Sequence, residues 1–280
     1  MKKHNKKYAL CMFGLPPMQC NKKIIVKKDI SHILWKKNVI EKNNIDVFIH
    51  TWGNNDTEEL KKKYNPIKFE VEKQVIFDNL DSRKYDYPDC TTTNMFYSQA
   101  YSAKKSISLK KQHEAKQRFE YDVVMMSRMD CLWFREIDFA KFDPNCFYIS
   151  NWNQKRSYDS IQEVVCENYD RLGKKSNVTT IKRNFKKILD YWFISSSRNI
   201  NIFGELFDYI PGWIENNKNT KMSNHALKRD FLVHKGLWDK IEFKFFEHHD
   251  HNIQRYFYKF EDHKRDVFKK MIESLKVGDL

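Results

Sequence analysis

Three short apolar runs constrain this chain more than any other feature: "YALCMFG" (8–14), "IDVFIHTW" (45–52) and "YDVVMMS" (121–127). Each is too short for a buried helix and nearly continuous in apolar residues, the pattern of a strand covered on both faces. Each also stops abruptly. The first ends at Gly14, with Leu15 and then Pro16 and Pro17, which cannot continue a ladder. The second ends in His50, Thr51, Trp52 and Gly53, and the third in Ser127, Arg128, Met129 and Asp130 before "CLWF" resumes. Segments with helical character separate them: 22–43, "TEELKKKYN", and a long stretch from about 93 to 119. Strand and helix in alternation predict an α/β fold with a mainly parallel sheet covered by helices. In such a sheet the carboxyl ends share one edge, so Gly14, His50, Thr51, Arg128 and Asp130 are expected to converge there.

The run "IKFEVEKQVIF" alternates with period two and predicts a half-exposed strand; "CFYISN" and "IEFKFFEH" predict two more. Beyond residue 155 the pattern predicts helices over 158–172, 182–195, 199–217 and 222–236, a helix-rich wall facing the sheet edge. No internal repeat or low-complexity block divides the chain, and 7 Gly with 6 Pro leave little for linkers. The expectation is one domain over 1–280, with an alternating strand-helix half (1–150) and a helix-rich half (151–280).

Lys and Arg number 51 against 37 Asp and Glu, a formal charge of +14 that attracts anionic partners. The lysines are scattered among apolar residues at helical spacing, as on solvated helix faces, and no nucleic-acid motif accompanies them. Six cysteines show no paired spacing, which fits a reducing compartment better than a disulfide framework. The start, "MKKHNKKYALCMFGLPPMQC", lacks a small-x-small cleavage pattern and reads as a first strand, not a leader. A cytoplasmic protein, including one held peripherally at a membrane surface, is the expectation.

A carboxylate and a guanidinium at the end of an apolar strand are costly to bury without a partner or a use. An Asp in that position suits a divalent metal bridging phosphate oxygens; its structural alternative is a salt bridge with Arg128. Neither a Walker loop nor GxGxxG is present, so ATP phosphoryl transfer and dinucleotide chemistry lose support.

The "DVFIHTW" strand, followed some seventy residues on by "YDVVMMSRMDCLWF" with the helix "NMFYSQAYSAKKS" between, resembles a group of GT-A-fold nucleotide-sugar glycosyltransferases. Members occur in capsule and lipopolysaccharide clusters and in some large viruses. The similarity covers residues 8–150, and "DYWFISSSRNINIFGELFDYI" resembles the group's Asp-aromatic-aromatic segment. The resemblance implies a GT-A domain that moves a sugar from a nucleotide-diphosphate sugar to a saccharide or lipid-linked saccharide acceptor. It places Arg128-Met129-Asp130 where the family carries its Asp-x-Asp metal motif. It would make residues 1–150 the nucleotide-sugar-binding half and 151–280 the acceptor-side half. Asp130 would ligate Mn2+ or Mg2+, with His248, His249 or His251 near the C-terminal end as a further ligand. Phe13, Gly14, Leu15, His50, Thr51, Trp52, Ser98, Lys104 and Arg128 would line the donor pocket, and Asp190 would act on the acceptor as general base. Two departures stand out. Arg128 occupies the first motif position, and "FGLPPM" lacks the Arg found in the family's strand-1 turn. The alternatives are a basic, aromatic-rich nucleic-acid-binding protein and a sugar-binding module without catalysis.

Overall fold

A computed structural model describes residues 6–16, 30–53, 57–77, 93–151, 188–217, 223–246 and 250–253. Its centre is β1 (Tyr8–Gly14), flanked by β2 (Asp46–Trp52) and β4 (Val123–Arg128), with β3 (Lys68–Glu72) outside β2. These four are parallel, with Phe13 level with both His50 and Arg128. Beyond β4 come β7 (Trp192–Ser195), β6 (Phe147–Asn151) and β8 (Ile241–Phe246), giving the order β3-β2-β1-β4-β7-β6-β8. Only β7 runs against its neighbours. A separate two-stranded ribbon pairs β5 (Cys131–Trp133) with β9 (His251–Ile253).

The helices are α1 (Ile30–Trp35, a π-helical turn Lys36–Ile40, then Glu41–Asn43), α2 (Thr57–Tyr64), α3 (Thr93–Gln117), α4 (Ser197–Phe203), α5 (Leu206–Asn216) and α6 (Asn224–His234). The fold is therefore α/β and Rossmann-like, with a mainly parallel sheet between helical layers.

The continuous apolar runs are explained by burial on both faces. Alternate residues of β1 go to opposite cores: Ala9, Cys11 and Phe13 to the core beneath α3, Leu10 and Met12 to the one holding Trp35 and Val39 of α1. Strand β4 does the same, with Val124 and Met126 on one face and Val123 and Met125 on the other. Helix α3 approaches the sheet closely because its buried face carries Ser98, Ala100, Ser102, Ala103 and Ser106. Cys11 and Cys131 are buried free thiols, and burial pushes the Cys11 thiol up to about 12. Among the described residues no helix is long and apolar enough to cross a membrane.

The helix expected over 182–195 is corrected where it is described: residues 188–190 are irregular and Trp192–Ser195 are strand β7. The cause is two-sided burial. Phe193 enters one core, Trp192 and Ile194 the other, and an aromatic, β-branched run fits that position between β4 and β6. Ser196 then caps α4, its side chain accepting from the Asn199 amide. The expected helix 199–217 is two helices broken at Gly204–Glu205. The second half is thus not only a helical wall: β7, β8 and the end of β6 belong to the sheet itself. The expected helix at 158–172 lies outside the described residues.

Candidate functional site

The three strand ends do meet. Gly14 closes β1 at φ +100°, a conformation that glycine adopts without strain. Its amide donates to Ser102 Oγ of α3 at 2.9 Å, and its carbonyl accepts from Thr51 Oγ1 at 2.8 Å. Met129 donates its amide to the Phe13 carbonyl at 3.2 Å, so the turn after β4 is fastened to β1. The junction of β1 and β4 is where the strand order reverses, since β2 and β3 lie on one side of β1 and β4 on the other.

On the β4 side, Arg128 grips Asp130 with both arms of its guanidinium: Nε to Oδ1 at 2.8 Å and Nη2 to Oδ2 at 2.6 Å. Asp130 is buried, while the Arg128 side chain keeps 16% of its surface in solvent. The guanidinium also lies 5.8 Å from the centre of the Tyr191 ring. Because β7 is antiparallel, the residues preceding it arrive at this same edge. Asp190 there accepts from Lys228 Nζ of α6 and lies 3.3 Å from His225 Nδ1. Lys228 also donates to Gln99 Oε1 of α3 at 2.9 Å, an acceptor shared with Asn224 Nδ2. Burial alone would raise the Asp190 carboxyl. Lys228, His225 and Arg128 more than reverse this and hold it well below the usual carboxylate range.

On the β3 side the balance is anionic. His50 Nδ1 lies 2.8 Å from Ser102 Oγ, and its ring meets Trp52 edge-on at 4.9 Å. Trp52 stacks on Tyr101 of α3 at 5.4 Å. Burial lowers the His50 imidazole, against the opposing pull of Glu72 and Glu70. Lys105 of α3 contacts Glu70 and Glu72, each at 2.7 Å. Burial raises Glu72, but hydrogen bonds from Lys105 and Tyr101 outweigh it and hold the carboxyl low.

Phe13, His50, Thr51 and Trp52 are all at most 2% exposed, so they support the edge from beneath. Ser98 is buried and turned to Asn94 Oδ1 at 3.5 Å, and Lys104 makes an exposed pair with Asp208 of α5 at 2.8 Å. Neither is brought to the β1–β4 junction by these contacts. Leu15 follows directly after Gly14. His248 and His249 lie outside the described residues, while the neighbouring His251 is buried in β9 against Ser150 Oγ at 2.6 Å.

The expected metal motif is occupied by an ion pair. Both oxygens of Asp130 accept from Arg128, so a cation at that strand end would have to compete with the guanidinium. A different group could hold a metal: the ligand atoms of His50, Glu70 and Glu72 lie within 4.8 Å of one another. Sequence reasoning singled out His50 but missed the two glutamates, Ser102, Lys105 and Lys228. The alternation in "KFEVE" puts Glu70 and Glu72 on one face of β3, a signal that could have found the pair.

No protein-family model and no curated protein matches the chain. Among solved structures it is similar to the apo form of mouse xyloside xylosyltransferase 1. The identity is 11% and the TM-score 0.43, over 85% of this chain and 84% of that one. It is likewise similar to the nucleoside-diphosphate-sugar pyrophosphorylase of Vibrio cholerae RC9, at 10% identity and TM-score 0.44, over 87% and 93%. Likeness at this level does not bear on the chemistry of the edge.

Proposed function

We propose that this chain is a GT-A-type glycosyltransferase that moves a sugar from a nucleotide-diphosphate sugar to a saccharide or lipid-linked saccharide acceptor in surface-glycan assembly. The observation that carries the reading is Arg128 set level with Phe13, beside Gly14, where the strand order reverses. Open α/β sheets take their ligands outside the carboxyl ends of the strands at such a point. A guanidinium there can hold two phosphate oxygens at once, and a glycine lets the backbone come close.

In the reaction, an acceptor hydroxyl attacks the anomeric carbon, the bond from that carbon to the diphosphate oxygen breaks, and the nucleoside diphosphate leaves with the electron pair. Arg128 would stabilise the growing charge on the leaving diphosphate. Asp190, expected from sequence to take the acceptor proton, is better suited to another task. A carboxylate holding an ammonium and an imidazole is a weak base, so Asp190 is assigned to positioning Lys228 and His225 beside the donor.

Calorimetric titration with UDP and GDP, beside a screen for hydrolysis of nucleotide sugars, tests the reading. One nucleoside diphosphate should bind. Arg128→Lys, which keeps the charge but loses the fork, should weaken it about tenfold, the scale of a lost charged hydrogen bond. Absence of both binding and hydrolysis would end the proposal. Steeply salt-dependent oligonucleotide binding in their place would mark a nucleic-acid partner.

A further inference from the structure

We propose that His50, Glu70 and Glu72 form a binding site for a divalent transition-metal ion such as Zn2+, for which Lys105 is the resident substitute. The site is separate from the sugar-nucleotide reading and does not depend on it. Three neighbouring positions on parallel strands supply it. His50 and Glu70 are level in the β2–β3 register, and Glu72 follows two residues on, on the same face. Their ligand atoms lie within 4.8 Å of one another, and among the described residues no other His, Cys, Asp or Glu group does this.

The imidazole is the observation that points beyond an ordinary ion-pair cluster. His50 is fully buried, its Nε2 has no hydrogen-bond partner, and the nearest anionic atom is Glu72 Oε2 at 3.5 Å. The other ring nitrogen is held by Ser102 Oγ at 2.8 Å. That hydroxyl also lies 3.2 Å from the His50 carbonyl, to which it donates, and it accepts from the Gly14 amide. In the tautomer where Ser102 gives its hydrogen to that carbonyl and accepts from Nδ1–H, Nε2 faces the two carboxylates as a lone pair, the form that binds a metal. Metal-bound imidazoles are oriented in this way, by an oxygen on the ring nitrogen away from the ion. That tautomer aims a lone pair at anions, which a cation between them would relieve.

Lys105 supplies a cation to the glutamates but not to the imidazole. Its ammonium lies 2.7 Å from Glu70 Oε1 and 2.7 Å from Glu72 Oε1, and the side chain is 30% exposed, so it can swing out to water. One nitrogen and two carboxylate oxygens, with space where the ammonium now sits, suit Zn2+ or a similar ion better than Mg2+, which resists dehydration. Such an ion would fasten the edge strand β3 to β2.

Zn2+ is titrated into the full chain as wild type, Lys105→Met and the Glu70→Gln/Glu72→Gln double variant, with near-ultraviolet dichroism confirming that each is folded. Removing the competing ammonium should tighten Zn2+, and removing both carboxylates should weaken it. Each change should reach at least about tenfold, the scale set by the loss of even an outer partner of a metal ligand. X-ray absorption on the Zn2+-loaded wild type should show one imidazole nitrogen with carboxylate oxygens at about 2.0–2.2 Å. A spectrum dominated by several imidazoles, a double variant that binds like wild type, or no gain in Lys105→Met would each overturn the site. If Lys105→Met does not fold, the double variant and the spectrum decide.

Discussion

The two flanks of the sheet edge solve one electrostatic problem in opposite ways. Beside β4 and β7, the charges are buried and matched nearly one to one: Arg128 with Asp130, and Lys228 with Asp190. Beside β2 and β3, a half-buried lysine serves two glutamates, and a buried imidazole is left outside the pairing. The first arrangement is sealed and the second can exchange. The difference teaches that charge at this edge has two costs. Deep pairs are held because separating them is expensive, whereas the shallow cluster can trade its cation for another.

The largest expected effect comes from breaking the deepest pair. Lys228→Met takes the closest cation from the buried Asp190 carboxylate and should cost about 3–5 kcal/mol in chemical denaturation. Lys228→Met with Asp190→Leu should recover most of that loss, which a purely steric defect at Lys228 would not allow.

Next is Arg128→Met, expected to cost about 2–4 kcal/mol because Asp130 loses two charged hydrogen bonds while the guanidinium was partly hydrated. Adding Asp130→Asn should restore stability without restoring nucleotide binding, since the guanidinium that would hold the diphosphate stays absent. If the double variant binds donor like wild type, Arg128 serves only its neighbour.

Acid sharpens the same contrast. The folded Asp190 carboxyl lies below its unfolded value, so its contribution is whole above about pH 4, the ordinary carboxylate range. It drains away as pH falls toward the depressed folded value. Stability measured from neutral pH downward should therefore fall less steeply in Asp190→Asn than in wild type. Equal slopes would mean that Asp190 is not the ionised partner of Lys228.

Ser102→Ala removes the hydroxyl that joins Gly14, His50 and the β2 carbonyl, and should cost about 1–3 kcal/mol, the scale of buried groups left unsatisfied. Last is Lys105→Met in the absence of metal, expected to cost about 1 kcal/mol or less because the cluster is partly solvated. A loss as large as that of Lys228→Met would erase the distinction between the flanks.

Much of the scaffold was legible because two-sided burial writes itself as continuous apolar sequence. Strands β1, β2 and β4, and the convergence of their ends, follow from that signature alone. Helix α3 was visible in its length. Strand β7 was not, since "YWFIS" is an apolar run that periodicity cannot assign to helix or strand, and only its place between β4 and β6 decides. The site was harder for a related reason. The Arg128–Asp130 pair lies within three residues, and the notion of a salt bridge there needed no fold. Lys228 meets Asp190 across 38 positions and Lys105 meets Glu70 across 35. Nothing local in "ALKRDF" or "SAKKSI" tells which lysine turns inward.

The mixed order of the sheet also governs how the molecule can come into being. Tyr8 pairs with Val123, so the central ladder closes only after more than a hundred residues have left the ribosome. Even then the far side of β4 is bare until Trp192–Ser195 arrive to pair with it. A nascent chain halted near residue 150 would expose that unpaired edge, an invitation to association with other chains. Long-range closure of this kind slows folding. Synthesis and folding should thus finish together, and fragments cut between the halves should be recovered as aggregates, not as miniature domains.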